Sequence, residues 1–200
     1  MHIGIDIDEV LCETLEFALQ FFGGKIAWKP LSRAQVSDYY LPNIPWYEDI
    51  SREDAIRFFV DAQNSPRALE ELRPVHWAYE MLKKWKSEWH ILYAITARGE
   101  PVKHATEKWI QKYFPNLFDE IIFCNHYRDA HPHFSKEEIC KQKGIKLFVE
   151  DNPKYAIDLE TVGIKVFLLD KPRNQFFVEQ EHPWIQKVSG REAIKNVSIS

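Results

Sequence analysis

The sequence is poor in glycine and cysteine, and it has no long apolar run. Seven glycines in 200 residues are about half the usual share, so a glycine-rich phosphate loop is not expected. Cys12, Cys124 and Cys140 stand far apart without a Cys-x-x-Cys pair, which favours a reduced, cytoplasmic protein. No apolar stretch nears the ~18–20 residues that cross a bilayer, and the N-terminus lacks a signal-peptide pattern. A membrane partner is therefore not expected.

Positive charge is also in deficit. The chain has 26 lysines and arginines against 30 aspartates and glutamates, a formal net charge of −4. Surfaces that bind long nucleic acids are usually basic, so no such partner is expected. The length suits one domain, or a core with a modest insertion, and leaves open whether the chain forms a homodimer.

Five short apolar runs predict buried strands. They are rich in Ile, Val, Phe and Leu and cover residues 2–7, 90–95, 120–124, 146–150 and 164–169. Their lack of polar alternation is typical of a parallel sheet covered on both faces. Apolar spacing predicts helices over 78–85 and 102–113, and a capping box at Ser135 predicts the start of another. The pattern indicates a doubly wound α/β fold with a mostly parallel five-stranded sheet.

One segment interrupts this alternation. Residues 14–73 contain no convincing strand, only helical patterns at 14–22 and 51–63 with a loop-like stretch between them. An ordinary strand-to-helix connection takes about 2–6 residues, so this segment is too long to be one. We expect a core of residues 1–13 and 74–200, with 14–73 forming a helical cap over one end of the sheet.

Polar residues follow four of the predicted strands. They are Asp6 and Asp8, Thr96, Asn125, and the pair Glu150 and Asp151. Ligands of open α/β sheets bind at the carboxyl ends of the strands. Carboxylates that converge there repel one another unless a cation neutralises them, and Mg²⁺ prefers oxygen ligands. Polar residues at four strand ends together favour a metal-binding site, although an Asp-x-Asp pair alone also occurs as a simple turn cap.

Four segments together resemble the motifs of haloacid dehalogenase-type phosphatases. IGIDIDEV at 3–10 resembles the first motif, an apolar strand followed by Asp-x-Asp, and ITAR at 95–98 resembles the second. Lys136 resembles the lone lysine of the third, and FVEDN at 148–152 resembles the acidic pair of the fourth. All four occur in the family's order. The stretch 125–153 resembles most the 5′(3′)-deoxyribonucleotidase branch.

The resemblance implies an enzyme, a phosphoric monoester hydrolase. Asp6 would attack phosphorus to form an aspartyl-phosphate, and Asp8 would act as general acid and base. Thr96 and Lys136 would stabilise charge on the phosphoryl group. The implied phosphate contacts are Thr96, Ala97, Arg98 and Lys136. Mg²⁺ would be held by Asp6, the Asp8 carbonyl and Asp151.

The expected substrate is a small phosphate ester, with a (deoxy)nucleoside monophosphate favoured. The insertion carries aromatic residues on which a base could stack: Phe17, Phe21, Phe22, Trp28, Tyr39, Tyr40, Trp46 and Tyr47. Most of these are expected in the core, and Phe22 and Tyr39 are the candidates for substrate contact. The alternatives are a sugar phosphate, a 3′-phosphate end, or a non-catalytic binding protein of the same fold.

Several residues keep two interpretations. Lys141 or Lys143 could replace Lys136 near the phosphate. Arg98 could clamp a phosphate, but an exposed arginine at a loop start is the commoner case. Glu9 stands where relatives often have glycine, so it either faces the site or lies away from it.

A histidine-rich loop raises the question of a second metal. His126, His131 and His133 lie near Asp129 at irregular spacing and without a cysteine. Zinc sites require a closer match of ligand spacing, so we expect these histidines to be solvated, near the substrate at most.

Overall fold

The computed structural model describes residues 1–39, 43–44, 47–125, 134–190 and 192. Their main element is a six-stranded sheet in which every neighbouring pair is parallel. In spatial order the strands are β5 (Glu120–Phe123), β4 (Ile91–Thr96), β1 (His2–Ile5), β6 (Leu147–Glu150), β7 (Lys165–Leu169) and β8 (Ile185–Val188). The α/β class is confirmed. Of the six strands of this sheet, the prediction lacks the edge strand β8, whose two inner residues are polar.

Strand β1 lies at the centre, paired with β4 on one side and β6 on the other. The chain first adds strands on the β4 side and then returns to build the β6 side. Gly4 leaves room for the Phe148 ring of β6, since a Cβ there would lie 2.4 Å from Phe148 Cδ2. The direction in which the chain adds strands thus reverses between β1 and β6. Ligands of doubly wound sheets bind at such a switch point.

Helices cover both faces of the sheet. The helices after the insertion are α4 (Ala78–Ser87), α5 (Lys103–Tyr113), α6 (Lys136–Lys143) and α7 (Pro153–Glu160). Ala94 packs in one buried cluster with Trp109 of α5, while Ile95 packs in the other with Leu159 of α7. Adjacent residues of a strand point to opposite faces, so β4 is buried on both sides. Within the described ranges, no helix combines the length and apolarity needed to span a membrane.

The segment 14–73 is mainly helical. It contains α1 (Thr14–Phe21), the two-residue strands β2 (Lys25–Ile26) and β3 (Lys29–Pro30), α2 (Arg52–Asn64) and α3 (Ala68–Glu71). The β2–β3 hairpin corrects the expectation that this segment has no strand. Ser51 caps α2 by accepting a hydrogen bond from Asp54 N at 3.0 Å. Phe22 and Phe58 stack at 4.7 Å between ring centroids and join α2 to the end of α1.

Candidate active site

A cleft of about 490 Å³ lies at the carboxyl ends of β1, β4 and β6. The sheet side contributes polar groups, among them Asp6, Asp8, Arg98 and Asp151. Helix α2 forms an opposing wall, with Ile56, Val60 and Gln63 on it. The acids that follow separate strands in the sequence thus meet in one cleft.

Lys136 joins two carboxylates beneath the cleft and is not itself among the lining residues. Its Nζ donates to Asp6 Oδ1 at 2.7 Å and to Glu150 Oε2 at 2.6 Å. Lys136 and Glu150 are each 1% exposed, and Asp6 is 5% exposed. Burial lowers the pKa of Lys136, but Asp6 and Glu150 outweigh burial and hold it well above its usual value. The ammonium therefore stays charged between its partners.

The position of Lys136 depends on the start of α6. Ser135 Oγ accepts from Glu138 N at 3.2 Å and Glu138 Oε2 accepts from Ser135 N at 3.1 Å, the predicted capping box. A lysine in a first helical turn faces the positive end of the helix dipole, which the carboxylates here offset. Lys141 is exposed and Lys143 pairs with Glu120. The structure brings Lys136, of these three lysines, to Asp6.

Asp6 has an unfavourable environment for an ionised carboxyl. Burial raises its pKa well above the usual value, Lys136 offsets part of this rise, and Glu150, Asp8 and Asp151 add to it. A further cation beside Asp6 would favour the carboxylate form that a nucleophile needs.

Asp8 is held by a buried arginine. Arg98 donates from Nε to Asp8 Oδ2 at 3.0 Å and from Nη2 to Asp8 Oδ1 at 2.6 Å. Thr14 Oγ1 also donates to Asp8, and Arg98 Nη1 donates to Thr106 Oγ1 at 2.8 Å. Burial raises the pKa of Asp8, but Arg98 more than reverses this, so the pKa is lowered. Arg98 is 5% exposed, so the exposed-arginine interpretation is wrong.

Thr96 and Ala97 form the turn after β4. Thr96 is fully buried, and its Oγ1 accepts from Arg98 N at 3.2 Å. Ala97 and Arg98 line the cleft, whereas Thr96 is not among the lining residues. In this structure the Thr96 hydroxyl orients the turn that carries Arg98.

Glu9 is buried and belongs to the site's framework. Its backbone has a φ of 60°, in the left-handed region that favours glycine. Its side chain offsets this cost, because Oε1 accepts from Leu15 N at 2.9 Å and Oε2 pairs with Arg33 at 3.4 Å. Glu9 thereby connects the loop after β1 to α1 and to Arg33, which both belong to the inserted segment.

Asp151 is surrounded by groups from the connection after β7 and by Tyr39 of the inserted segment. Arg173 Nη2 lies 3.2 Å from Asp151 Oδ2, and its guanidinium stacks over the Tyr39 ring at 4.3 Å. Tyr39 Oη donates to the Asp151 carbonyl, as does Asn174 Nδ2 at 2.9 Å. Burial raises the pKa of Asp151 to about 7, with Arg173 opposing the rise and Glu150 adding to it.

The donor set fits a hard divalent cation. Oxygens of Asp6, Glu150 and Asp151 all lie within 4.8 Å of one another. The site also holds Asp8 and Glu9, while its cations are the buried Arg98 and Lys136 and the partly buried Arg173. With all five carboxyls ionised, negative charge is in excess even when the half-buried Arg33, which pairs with Glu9, is included. Carboxylate oxygens with a negative excess are what Mg²⁺ binds.

The aromatic residues of the insertion differ in position. Tyr39 lines the cleft, but Phe22 packs on Phe58 and is not among the lining residues. Phe17 and Phe21 form the expected helix stripe, with ring centroids 6.0 Å apart. Predictions on Tyr40, Trp46, His126, His131 and His133 lie outside the described residues.

Arg173 and Asn174 are site residues that the sequence analysis missed. They follow β7 in the polar stretch DKPRN at 170–174. The signal was available, because β7 ends at the same edge of the sheet as β6. Gln63 was also missed, since a single glutamine within a helical pattern carries no comparable signal.

Comparisons with known proteins give the class of fold. No protein-family model and no curated protein matches the sequence. Three similar solved structures are a predicted phosphoglycolate phosphatase from Haemophilus somnus, a predicted phosphatase from Clostridium acetobutylicum and a haloacid dehalogenase-superfamily hydrolase of subfamily IA from Geobacter sulfurreducens. Their identities are 17%, 14% and 17%, with TM-scores of 0.62, 0.64 and 0.57. Each match covers at least 96% of both chains.

The chain therefore has the fold of haloacid dehalogenase-superfamily hydrolases over nearly its whole length. None of these three structures bears the name of a nucleotidase. The narrower resemblance to the deoxyribonucleotidase branch remains a prediction.

Proposed function

We propose that this protein is a Mg²⁺-dependent phosphomonoesterase acting on a small phosphorylated metabolite through an aspartyl-phosphate. One observation carries the proposal: Asp6 lies at the switch point of the sheet, bound to Lys136 and close to Asp151. A nucleophilic carboxylate, a cation for the phosphoryl oxygens and metal-binding oxygens are the groups that phosphoryl transfer needs. The fold shared with named phosphatases supports the same reaction.

The reaction assigns separate tasks to the two aspartates. The Asp6 carboxylate attacks phosphorus, and the bond to the ester oxygen breaks as Asp8 gives that oxygen a proton. Asp8 then accepts a proton from the water that hydrolyses the aspartyl-phosphate, which restores both residues. Before substrate binds, Arg98 and Thr14 orient Asp8 and hold its pKa below the usual value, so its role as acid requires the bound ester to displace Arg98 from one Asp8 oxygen. Lys136 donates to the phosphoryl oxygens, where negative charge develops.

The metal would be held by the carboxylates of Asp6 and Asp151 and by the Asp8 carbonyl. Within the described residues, no backbone hydrogen bond to that carbonyl is found. Bound Mg²⁺ would neutralise charge on the phosphate and favour the ionised form of Asp6.

Asp151→Asn should abolish most of the response to Mg²⁺. In the wild type, Mg²⁺ should raise the Tm more at pH 8 than at pH 5.5. Below about pH 7 the Asp151 carboxyl holds a proton, which the metal must displace. Calorimetry of both proteins with and without Mg²⁺ checks this, with the exposed Asp61→Asn as control. An unchanged Mg²⁺ response in Asp151→Asn would remove this residue from the ligands.

Two classes of organic group are candidates for the substrate. A nucleoside monophosphate is the first candidate because Tyr39, Phe59 and Tyr155 line the cleft. A sugar phosphate is the second, favoured because Arg173 already covers a face of the Tyr39 ring. We also propose that residues 14–73 act as a cap, since α2 forms a wall of the cleft.

A substrate panel tests the activity directly. Phosphate release would be measured from 5′- and 3′-nucleoside monophosphates, sugar phosphates and phenyl phosphate, with Mg²⁺ or EDTA. We expect Mg²⁺-dependent release, with the best natural ester at least about tenfold above phenyl phosphate in kcat/KM. Equal release in EDTA would contradict the metal requirement. Absence of release from every ester would favour a binding protein with this fold.

A further inference from the structure

Gln63 is a buried polar residue without a hydrogen-bond partner in the described part of the chain. It is 7% exposed and lies near the end of α2. Among the described residues, Trp85 Nε1 is the one fully buried side-chain polar atom that lacks a partner. The Gln63 carboxamide therefore keeps access to open space, although the residue is more than nine-tenths buried.

That open space is the cleft and a smaller cavity beside it. Gln63 borders both, on the same stripe of α2 as Ile56 and Val60. Residues 56, 60 and 63 are four and three positions apart, so their side chains share one helix face. The unpaired amide is thus presented to the space that a substrate would fill.

The position of Gln63 relates it to the leaving group. Arg98 also borders both cavities, and it is bound to Asp8 through two hydrogen bonds. In the proposed reaction Asp8 protonates the ester oxygen, so the organic half of the substrate lies on this side. Gln63 lies where that half must be accommodated.

The surroundings of Gln63 indicate the chemistry of its ligand. The neighbouring walls are mainly apolar, with Ile56, Val60, Pro101 and Val102 on them. A primary amide offers both a donor and an acceptor, and a buried amide is costly unless both are used. A ligand with an adjacent donor and acceptor would satisfy it, and its apolar part would contact the walls.

We propose that Gln63 is a specificity residue that binds a paired donor and acceptor on the organic half of the phosphate ester. This inference rests on the proposed phosphatase activity. Nucleobase edges and sugar hydroxyls both carry such pairs, and the substrate panel separates the two sources. Esters without such a pair, such as phenyl phosphate, gain nothing from Gln63.

The near-isosteric variant Gln63→Met tests this. For the best polar ester we expect kcat/KM to fall at least about tenfold, mostly through KM, because a buried hydrogen-bonding site discriminates strongly. For phenyl phosphate we expect a change under about twofold, because no hydrogen bond to the amide is lost. Gln111→Met, on the exposed surface of α5, is the matched control and should leave both esters unaffected.

The two proposals fail in different ways. If the wild type and Gln63→Met both hydrolyse phenyl phosphate, the proposed phosphatase activity stands. A fall in kcat/KM that is equal for all esters, or no fall for any ester, would then overturn the role of Gln63. If the wild type hydrolyses no ester, the proposed function fails. The Tm increase caused by a nucleoside or sugar monophosphate is then compared between wild type and Gln63→Met, and equal increases reject the contact.

Discussion

Replacing Asp6 by Asn should lower phosphate release by about a thousandfold or more, because the variant lacks the proposed nucleophile. The same change should leave the Tm unchanged or raise it. Asp6 is buried among Glu150, Asp8 and Asp151, so its ionised form is disfavoured despite the contact with Lys136. A neutral amide relieves that repulsion. Activity should therefore fall without a loss of stability, as is common at catalytic sites.

Steady-state phosphate release and calorimetry on the same preparations check both results. Asp61→Asn, an exposed residue of α2, is the control for an Asp-to-Asn change outside the site. Acid-quenched wild type should carry a phosphoryl group on the peptide that contains Asp6. Retention of more than a tenth of the activity in Asp6→Asn would exclude the aspartyl-phosphate at this position.

The convergence of the acids could be predicted because it follows from backbone pattern alone. The runs before Asp6 and Asp151 are apolar and unalternated, which indicates buried strands of a parallel sheet. Parallel strands end at one edge, so the residues that follow them lie along that edge, and the structure shows that these two strands are neighbours. The capping box at Ser135 likewise marked the start of α6, which carries Lys136.

The pairing of charges within the site could not be predicted in this way. Arg98 and Asp8 are 90 residues apart, and their contact depends on how the turn after β4 packs against the loop after β1. Glu9 occupies a left-handed backbone position that the sequence would assign to glycine. Such features depend on tertiary contacts, so a local pattern carries little information about them.

Lys136→Met should be the most destabilising single change in the site. It leaves Asp6 and Glu150 buried without their shared cation, which costs about 3–5 kcal/mol when a buried pair is broken. The loss should increase from pH 5.5 to pH 8. Lys136 opposes the rise that burial causes in the pKa of Asp6. Without the ammonium that carboxyl would titrate still further above its unfolded value, so the folded variant binds more protons and loses stability as the pH rises. Urea denaturation at the two pH values measures this.

A second substitution separates stability from catalysis. Lys136→Met combined with Glu150→Gln should recover much of the lost stability, because it removes one of the unpaired charges. It should not recover activity, since the donor to the phosphoryl oxygens is still absent. Lys141→Met and Lys143→Met are the controls from the same helix. If either lowers kcat as far as Lys136→Met does, the phosphate contact belongs to that lysine and Lys136 serves the fold alone.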